Sequence, residues 1–228
     1  MKKACSDQVR RVLDTQQPHW EETYLEEPDF FGQAPSFSAQ KALERFKKEG
    51  KHSILELGAG QGRDTLFFAK NGFQVHALDY SENAVEAINQ KAREIGLSQY
   101  IRASRHDVRN PLAFGAESFG GCYSHMLYSM ALTTGELEVL FQEVRRVLES
   151  DGLNIYTVRH TGDAHYRKGS HRCEDIYEIN GFAVHFFSRE KVAYLAKGYD
   201  LISIDEFEEG KLPRKLFLVV LRKKASVI

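Results

Sequence analysis

Ile54-Leu55-Glu56-Leu57-Gly58-Ala59-Gly60-Gln61-Gly62 is the stretch on which the fold turns. The short apolar run 53–57 ends abruptly in glycines and 64–70 returns to helical spacing, which predicts strand, tight turn and helix. Glycines at such a turn adopt backbone geometry closed to other residues and let a ligand lie directly against the main chain. On the downstream side, 73–78 alternates and is rich in β-branched and aromatic side chains, which predicts a second strand. Ser81 then stands as the cap of a helix whose apolar side carries Val85, Ile88 and Ala92. Upstream, 38–48 predicts a helix stopped by Gly50, after a polar, aromatic opening that contains Trp20, Tyr24, Phe30 and Phe31.

Further along, strands are predicted at 101–106, 119–124, 153–158, 201–207 and 215–221, with helices at 136–148 and 188–197. The segment 159–180 is polar and His-rich and shows no period, and 182–187 reads as extended. Strands alternating with helices demand a mainly parallel sheet covered on both faces, because right-handed crossovers place the helices there. The two strands that follow one another at the end pair antiparallel at one edge. The expectation is a doubly wound α/β fold with seven strands.

Composition narrows the function. The 228 residues carry 31 Lys+Arg against 32 Asp+Glu, a net charge of -1. That balance argues against a protein whose main affinity is for a phosphate backbone, so no nucleic-acid partner is expected. The longest clean apolar run, 216–221, is far short of the roughly 20 residues that span a bilayer, so no membrane partner is expected either. The start of the chain lacks the apolar middle of a secretory signal, which points to the cytoplasm. Cys5, Cys122 and Cys173 are odd in number and widely spaced, which fits reduced thiols and implies no disulfide framework.

In an open parallel sheet, ligands bind outside the carboxyl ends of the strands. Three signals fall there: the glycine turn, Asp79 at the end of the second strand, and His106-Asp107 at the end of the third. An ionised Asp79 can accept two hydrogen bonds from a ribose diol, and Asp107 can accept from the exocyclic amine of adenine. Taken singly, the turn is often only tight packing and the acids are often solvated or capping. The ordered set of three points to a nucleoside. A dinucleotide fingerprint would need Gly or Ala at position 63, where Arg63 stands.

These residues resemble the class I S-adenosylmethionine-dependent methyltransferases. The stretch 54–62 is similar to the family's first motif, 75–81 to its second strand with the ribose-binding acid, and His106-Asp107-Val108 to its adenine-contacting segment. The segments 119–124, 140–148 and 152–158 resemble the fourth strand, the following helix and the fifth strand. Trp20-Glu-Glu-Thr-Tyr24 with Phe31-Gly32 is similar to the start of tellurite-resistance-type and thiopurine-type small-molecule enzymes. The resemblance implies a Rossmann-like fold, S-adenosyl-L-methionine as cofactor and a small-molecule methyl acceptor. It also implies roles. Glu56 would orient the loop, and Gly58, Ala59, Gly60 and Gly62 would face the methionine portion. Asp79 would hold the ribose, Tyr80 would lie against adenine, and Asp107 with the Val108 backbone would read the adenine edge. Two positions depart from the family pattern: Gly120-Gly121 stands where an acid is common, and 149–152 replaces a Lys-Pro-Gly-Gly turn.

A methyl transfer gains most from a dry pocket that aligns the acceptor, and a base is optional. Tyr24, His125 and Tyr128 are the candidate catalytic side chains, with a hydrogen-bonded structural histidine as the competing reading of His125. The chain is expected to form a single domain, 1–228, in which 1–37 is a cap and 159–187 an acceptor-side insertion. His160, Asp163, His165, His171 and Cys173 lack the close paired ligands of a zinc site, so no metal is expected. Two alternatives stay open: a cofactor-binding module without turnover, and a metalloid methyltransferase.

Overall fold

The computed structural model describes residues 10–11, 14–210 and 214–225. Among the described residues, ten strands run in chain order: β1 (Ser53–Leu57), β2 (Gln74–Asp79), β3 (Ile101–Arg105), β4 (Phe119–His125), β5 (Leu148–Arg159), β6 (Ser170–Cys173), β7 (Ile176–Ile179), β8 (Phe182–His185), β9 (Tyr199–Glu209) and β10 (Arg214–Lys223). The helices are α1 (Gln16–Glu26), α2 (Phe37–Lys48), α3 (Arg63–Lys70), α4 (Glu82–Glu94), α5 (Thr134–Val147) and α6 (Arg189–Leu195). Seven strands form one sheet in the order β3-β2-β1-β4-β5-β10-β9. Pairings from β3 through β5 are parallel, and β10 is antiparallel to both β5 and the outermost strand β9. This is the Rossmann-like doubly wound sheet that the alternation of elements implies.

Alternation along β1 shows why both faces are covered. Ile54 belongs to the buried cluster that holds Ala42 and Phe46 of α2, Phe68 of α3 and Ile88 of α4, while its neighbour Leu55 belongs to the cluster that holds Leu140 and Val144 of α5 and Val192 of α6. Burying a side chain such as Ile88 contributes roughly 1.5–3 kcal/mol. Helix starts follow from local chemistry. Ser81 accepts from the Ala84 amide at 3.1 Å, and Thr133 forms a reciprocal capping box with Glu136. The chain leaves β1 toward β2 and β3 and returns to β1's other side as β4, so the crevice at this reversal opens at the carboxyl ends of β1, β2 and β4.

Four local readings change. The opening contains a helix, α1, which no apolar stripe announces; its anchors are polar and are described below. The periodless segment folds as a small antiparallel sheet, β6-β7-β8, whose second turn is Asn180-Gly181 with both φ values positive, 51° and 82°. The stretch 149–152 is not a free turn but a bulged start of β5, with Asp151 at φ 59° and a register shift opposite β4 between Phe119 and Gly121. Finally, Cys173 is disulfide-bonded while Cys122 is a free buried thiol, which corrects the expectation of reduced thiols throughout. Chain spacing does not show which cysteines approach within bridging distance; Cys5 lies outside the described residues.

Among the described residues, no helix is long and apolar enough to cross a membrane. Gly121 explains the missing strand acid: a Cβ there would sit 2.3 Å from Cε1 of Phe46, so the α2 ring occupies the place of any side chain.

Candidate functional site

A cavity of about 690 Å³ opens at the crevice, within the size range of small-molecule sites. Its floor is the glycine turn. Gly58 and Ala59 donate their amides to the Leu78 carbonyl at 2.8 and 3.1 Å, Gly60 donates to Asp79 Oδ2 at 2.8 Å, and Gly62 donates to the Ala59 carbonyl at 3.1 Å. These amides are spent inside the protein and form no anion-binding nest of the kind that cradles phosphates. Gly60, at φ 52°, lies beneath the Tyr24 hydroxyl, which a Cβ would approach to 3.2 Å. Gly62, at φ 86°, is not on the cavity; its α-carbon is packed on Ile88.

Three buried carboxylates surround this floor and line the cavity: Glu56, Asp64 and Asp79. Asp79 also accepts from the Ser81 amide at 3.0 Å. Burial pushes its pKa up to about 6 against the partial offset of the Ser81 and Gly60 amides. Glu56 accepts from Thr65 Oγ1 at 2.6 Å, and burial followed by the charge of Asp64 raises its pKa to about 8. Asp64 accepts from the Ser36 amide and hydroxyl at 2.8 and 2.7 Å and from the Tyr123 hydroxyl at 3.1 Å, with Arg63 Nε at 3.2 Å. With Arg63 paired to Asp64 and Glu56 holding its proton until about pH 8, the floor gains negative charge, and with it attraction for a cation, as pH rises.

The roof is α1 and the small sheet. Glu21 takes the Ser81 hydroxyl at 2.6 Å and the Glu82 amide at 2.7 Å, so a carboxylate from α1 caps α4. Gln61 ties the turn to the roof, donating to the Tyr24 and Glu27 carbonyls at 3.1 and 3.0 Å and accepting from the Phe30 amide at 2.8 Å. At the other end of α1, Gln16 bonds Gly181 and Ala183 at 2.9 Å each, and Trp20 rests 4.8 Å from the Phe182 ring.

On the β3 side, Tyr80, Asp107 and Val108 line the cavity. Burial, with the charge of Asp79, raises the Tyr80 phenol. Asp107 is held by Arg109, with Nε at 3.0 and 3.1 Å and Nη2 at 2.6 Å. Burial would raise the Asp107 carboxyl, but the Arg109 contacts outweigh it and hold it low. On the β4 side, His125 Nδ1 is 3.0 Å from Ser38 Oγ and 2.9 Å from Thr157 Oγ1, while Nε2 is 3.2 Å from Glu209 Oε2. Nδ1 is therefore held by two hydroxyls, with Nε2 beside the Glu209 carboxylate. Tyr24 and His125 line the cavity; Tyr128 does not. It is fully buried between Phe141 and Tyr156, 5.0 Å from each ring.

Sequence reasoning missed Glu21, Gln61, Arg109, Thr157 and Glu209. No local signal marks Glu209, which reaches His125 from an edge strand far along the chain. Met126 was equally silent: it follows His125 with φ 62°, a conformation uncommon for a non-glycine residue, pinned by Thr157 through its amide at 3.0 Å. The histidines beyond β5 have structural partners, His160 stacked 4.5 Å from Phe217 and His171 on the Glu174 carbonyl at 3.0 Å. Among the described residues, no group of three His, Cys, Asp or Glu side chains is arranged to hold a metal.

Residues 54–152 match the family described as a methyltransferase domain. A candidate methyltransferase of Geobacillus sp. (strain WCH70) is 29% identical over 124 residues, 54% of this chain and 48% of that protein. The chain thus spans about half the length of the curated relative it matches. The 1,6-didemethyltoxoflavin-N1-methyltransferase of Burkholderia thailandensis, solved with 1,6-didemethyltoxoflavin and S-adenosylhomocysteine, superposes with a TM-score of 0.74 over 99% of this chain and 93% of that one, at 17% identity. TehB of Haemophilus influenzae gives 0.64 over 81% and 62%, also at 17%. The chain thus resembles methyltransferases in its 54–152 domain match and shares the fold of these solved structures.

Proposed function

We propose that this protein is an S-adenosyl-L-methionine-dependent methyltransferase acting on a small-molecule acceptor. The observation that carries the reading is the floor of the cavity: three buried acids around a glycine turn whose Gly58, Ala59, Gly60 and Gly62 amides are already spent. A pyrophosphate would find those four amides spent and the Arg63 guanidinium already paired with Asp64, whereas a sulfonium and an ammonium would find carboxyl oxygens. Asp79 would hold the ribose diol with lone pairs left over from Gly60 and Ser81. Glu56 and the Gly58-Ala59-Gly60 backbone would serve the methionine portion, Gly62 shapes the turn from behind, Tyr80 would cover the adenine, and Asp107 with Val108 would meet its edge.

When bound, S-adenosylmethionine supplies a methyl carbon on positively charged sulfur, open to in-line displacement by a nucleophilic acceptor atom. The chain contributes alignment and the exclusion of water that would otherwise solvate that charge. Tyr24 stands over Gly60 with its phenol kept protonated by burial and by Asp79, so it serves as a hydrogen-bond donor. His125, fixed on three sides, orients the β4 wall. We read 1–37 as the cap and 159–187 as the acceptor-side insertion of one domain, 1–228. No observation favours a metalloid acceptor: Cys122 is fully buried, its thiol pushed up by burial, and it does not line the cavity.

Calorimetric titration of the full chain with S-adenosylmethionine and with NAD tests the reading. Saturable binding of the first alone is expected, followed by S-adenosylhomocysteine formation in an acceptor screen; NAD binding without S-adenosylmethionine binding discards the assignment.

A further inference from the structure

Where β5 ends and β10 begins, the cavity changes character. Arg159, His165 and Arg214 line it there, two or three strand spacings from the glycine turn on β1, on the order of 10–15 Å. Arg159 is buried and locked. Asp163 takes its Nε at 3.2 Å and Nη2 at 2.6 Å, and its guanidinium lies 5.1 Å from the centre of the Phe186 ring. Asp163 is itself consumed in this task, because its two oxygens also accept from the His165 amide at 2.8 Å and the Lys215 amide at 2.8 Å, and it does not line the cavity.

The remaining Arg159 contact sets a histidine tautomer. Nη2 also lies 3.0 Å from His165 Nδ1, and a guanidinium only donates, so Nδ1 is the acceptor and neutral His165 carries its proton on Nε2. Arg159 Nη1, His165 Nε2 and the Arg214 guanidinium have no hydrogen-bond partner among the described residues. The wall therefore presents donors only, on side chains whose orientation is fixed by the protein at Arg159 and His165. Asp163 balances Arg159, and Glu209 lies across the β9–β10 pair from Arg214 and feels its charge, so the wall offers donors with little excess positive charge, which suits a monoanion better than a dianionic phosphate. Trp20 and Phe182, 4.8 Å apart, supply an apolar surface on the same cavity.

We propose that the methyl acceptor is an aromatic carboxylate whose carboxylate docks on Arg159, His165 and Arg214 and whose ring lies against Trp20 and Phe182. This rests on the methyltransferase reading above. The docked carboxylate has its lone pairs engaged and is an anchor, so the methylated atom lies elsewhere on the molecule.

The test uses the full chain saturated with S-adenosylhomocysteine and a panel of mono- and bicyclic aromatic carboxylic acids, each paired with its primary amide. At least one acid should bind tenfold or more tightly than its amide, and Arg214→Gln should reduce that preference to about twofold. Arg159→Lys, which keeps the charge against Asp163 but removes the fork, should reduce it as well. S-adenosylhomocysteine affinity should stay within twofold in both variants. The proposal is overturned if no acid binds better than its amide, or if the preference survives both substitutions. A tenfold loss of S-adenosylhomocysteine affinity in the variants also overturns it, because the cations would then hold the methionine carboxylate of the cofactor. Failure of the wild-type chain to bind S-adenosylhomocysteine at all sinks the cofactor reading instead, and is seen before any acid is added.

Discussion

Asp79 joins two functions in one side chain: it fixes the glycine turn through Gly60 and leaves acceptor capacity toward the cavity. Asp79→Ala should therefore weaken S-adenosylmethionine binding by about 1.5–3 kcal/mol, the scale of a hydrogen bond to a charged group. Calorimetry reads this directly, and wild-type affinity would remove Asp79 from the site. Glu56 gives a second handle through pH. Its pKa is raised from 4.5 to about 8, so between those values the native state binds more protons than the unfolded chain. Its contribution to stability accordingly falls as pH rises through that window. A cationic ligand favours the ionised carboxylate, so S-adenosylmethionine affinity should climb from pH 6 to 8, at most about tenfold per unit for one coupled proton. Glu56→Gln should flatten the climb; a pH-independent Kd in the wild type would show that no cation sits beside Glu56.

Helix α1 shows how an element can be invisible in sequence and still decide the site. Its side chains form no apolar stripe, so periodicity had nothing to detect. What holds it is polar and distant: Glu21 on the start of α4, Gln16 on the β7–β8 turn, and Gln61 reaching back from the glycine turn. Glu21→Ala removes a cap and should cost about 1 kcal/mol, seen as a Tm lower by roughly 2–4 °C. An unchanged Tm would mean that Ser81 alone suffices. The strands and helices around the main sheet were legible because each one is a local pattern, from the apolar run of β1 and the alternation of β2 to the Ser81 cap of α4. The small sheet had one readable signal, Asn180-Gly181 between two apolar runs. The Arg109 clasp on Asp107 and the Glu209 contact with His125 had none, since both depend on which chain segments the fold brings together. Gly121 was legible only as a departure, and the Phe46 ring supplies its reason.

At the scale of the whole molecule, the cavity is built from parts of the chain as distant as Gln16 and Arg214, so a ligand filling it bridges the cap, the glycine turn, β4 and the small sheet at once. Such a ligand stabilises the native state by mass action, about 2.7 kcal/mol at a hundredfold excess over Kd. For a chain of this length that converts to a Tm rise of roughly 5–10 °C with S-adenosylmethionine. NAD is the informative control because it shares the adenosine and differs in charge. Its adenosine end suits Asp79 and Asp107 equally well, yet its pyrophosphate would face Glu56 and Asp64 across a turn whose Gly58, Ala59, Gly60 and Gly62 amides are already spent. A thermal melt should therefore shift with S-adenosylmethionine and stay within error with NAD. An equal shift with both would mean that adenosine recognition dominates and that the buried carboxylates, contrary to their placement, do not discriminate charge.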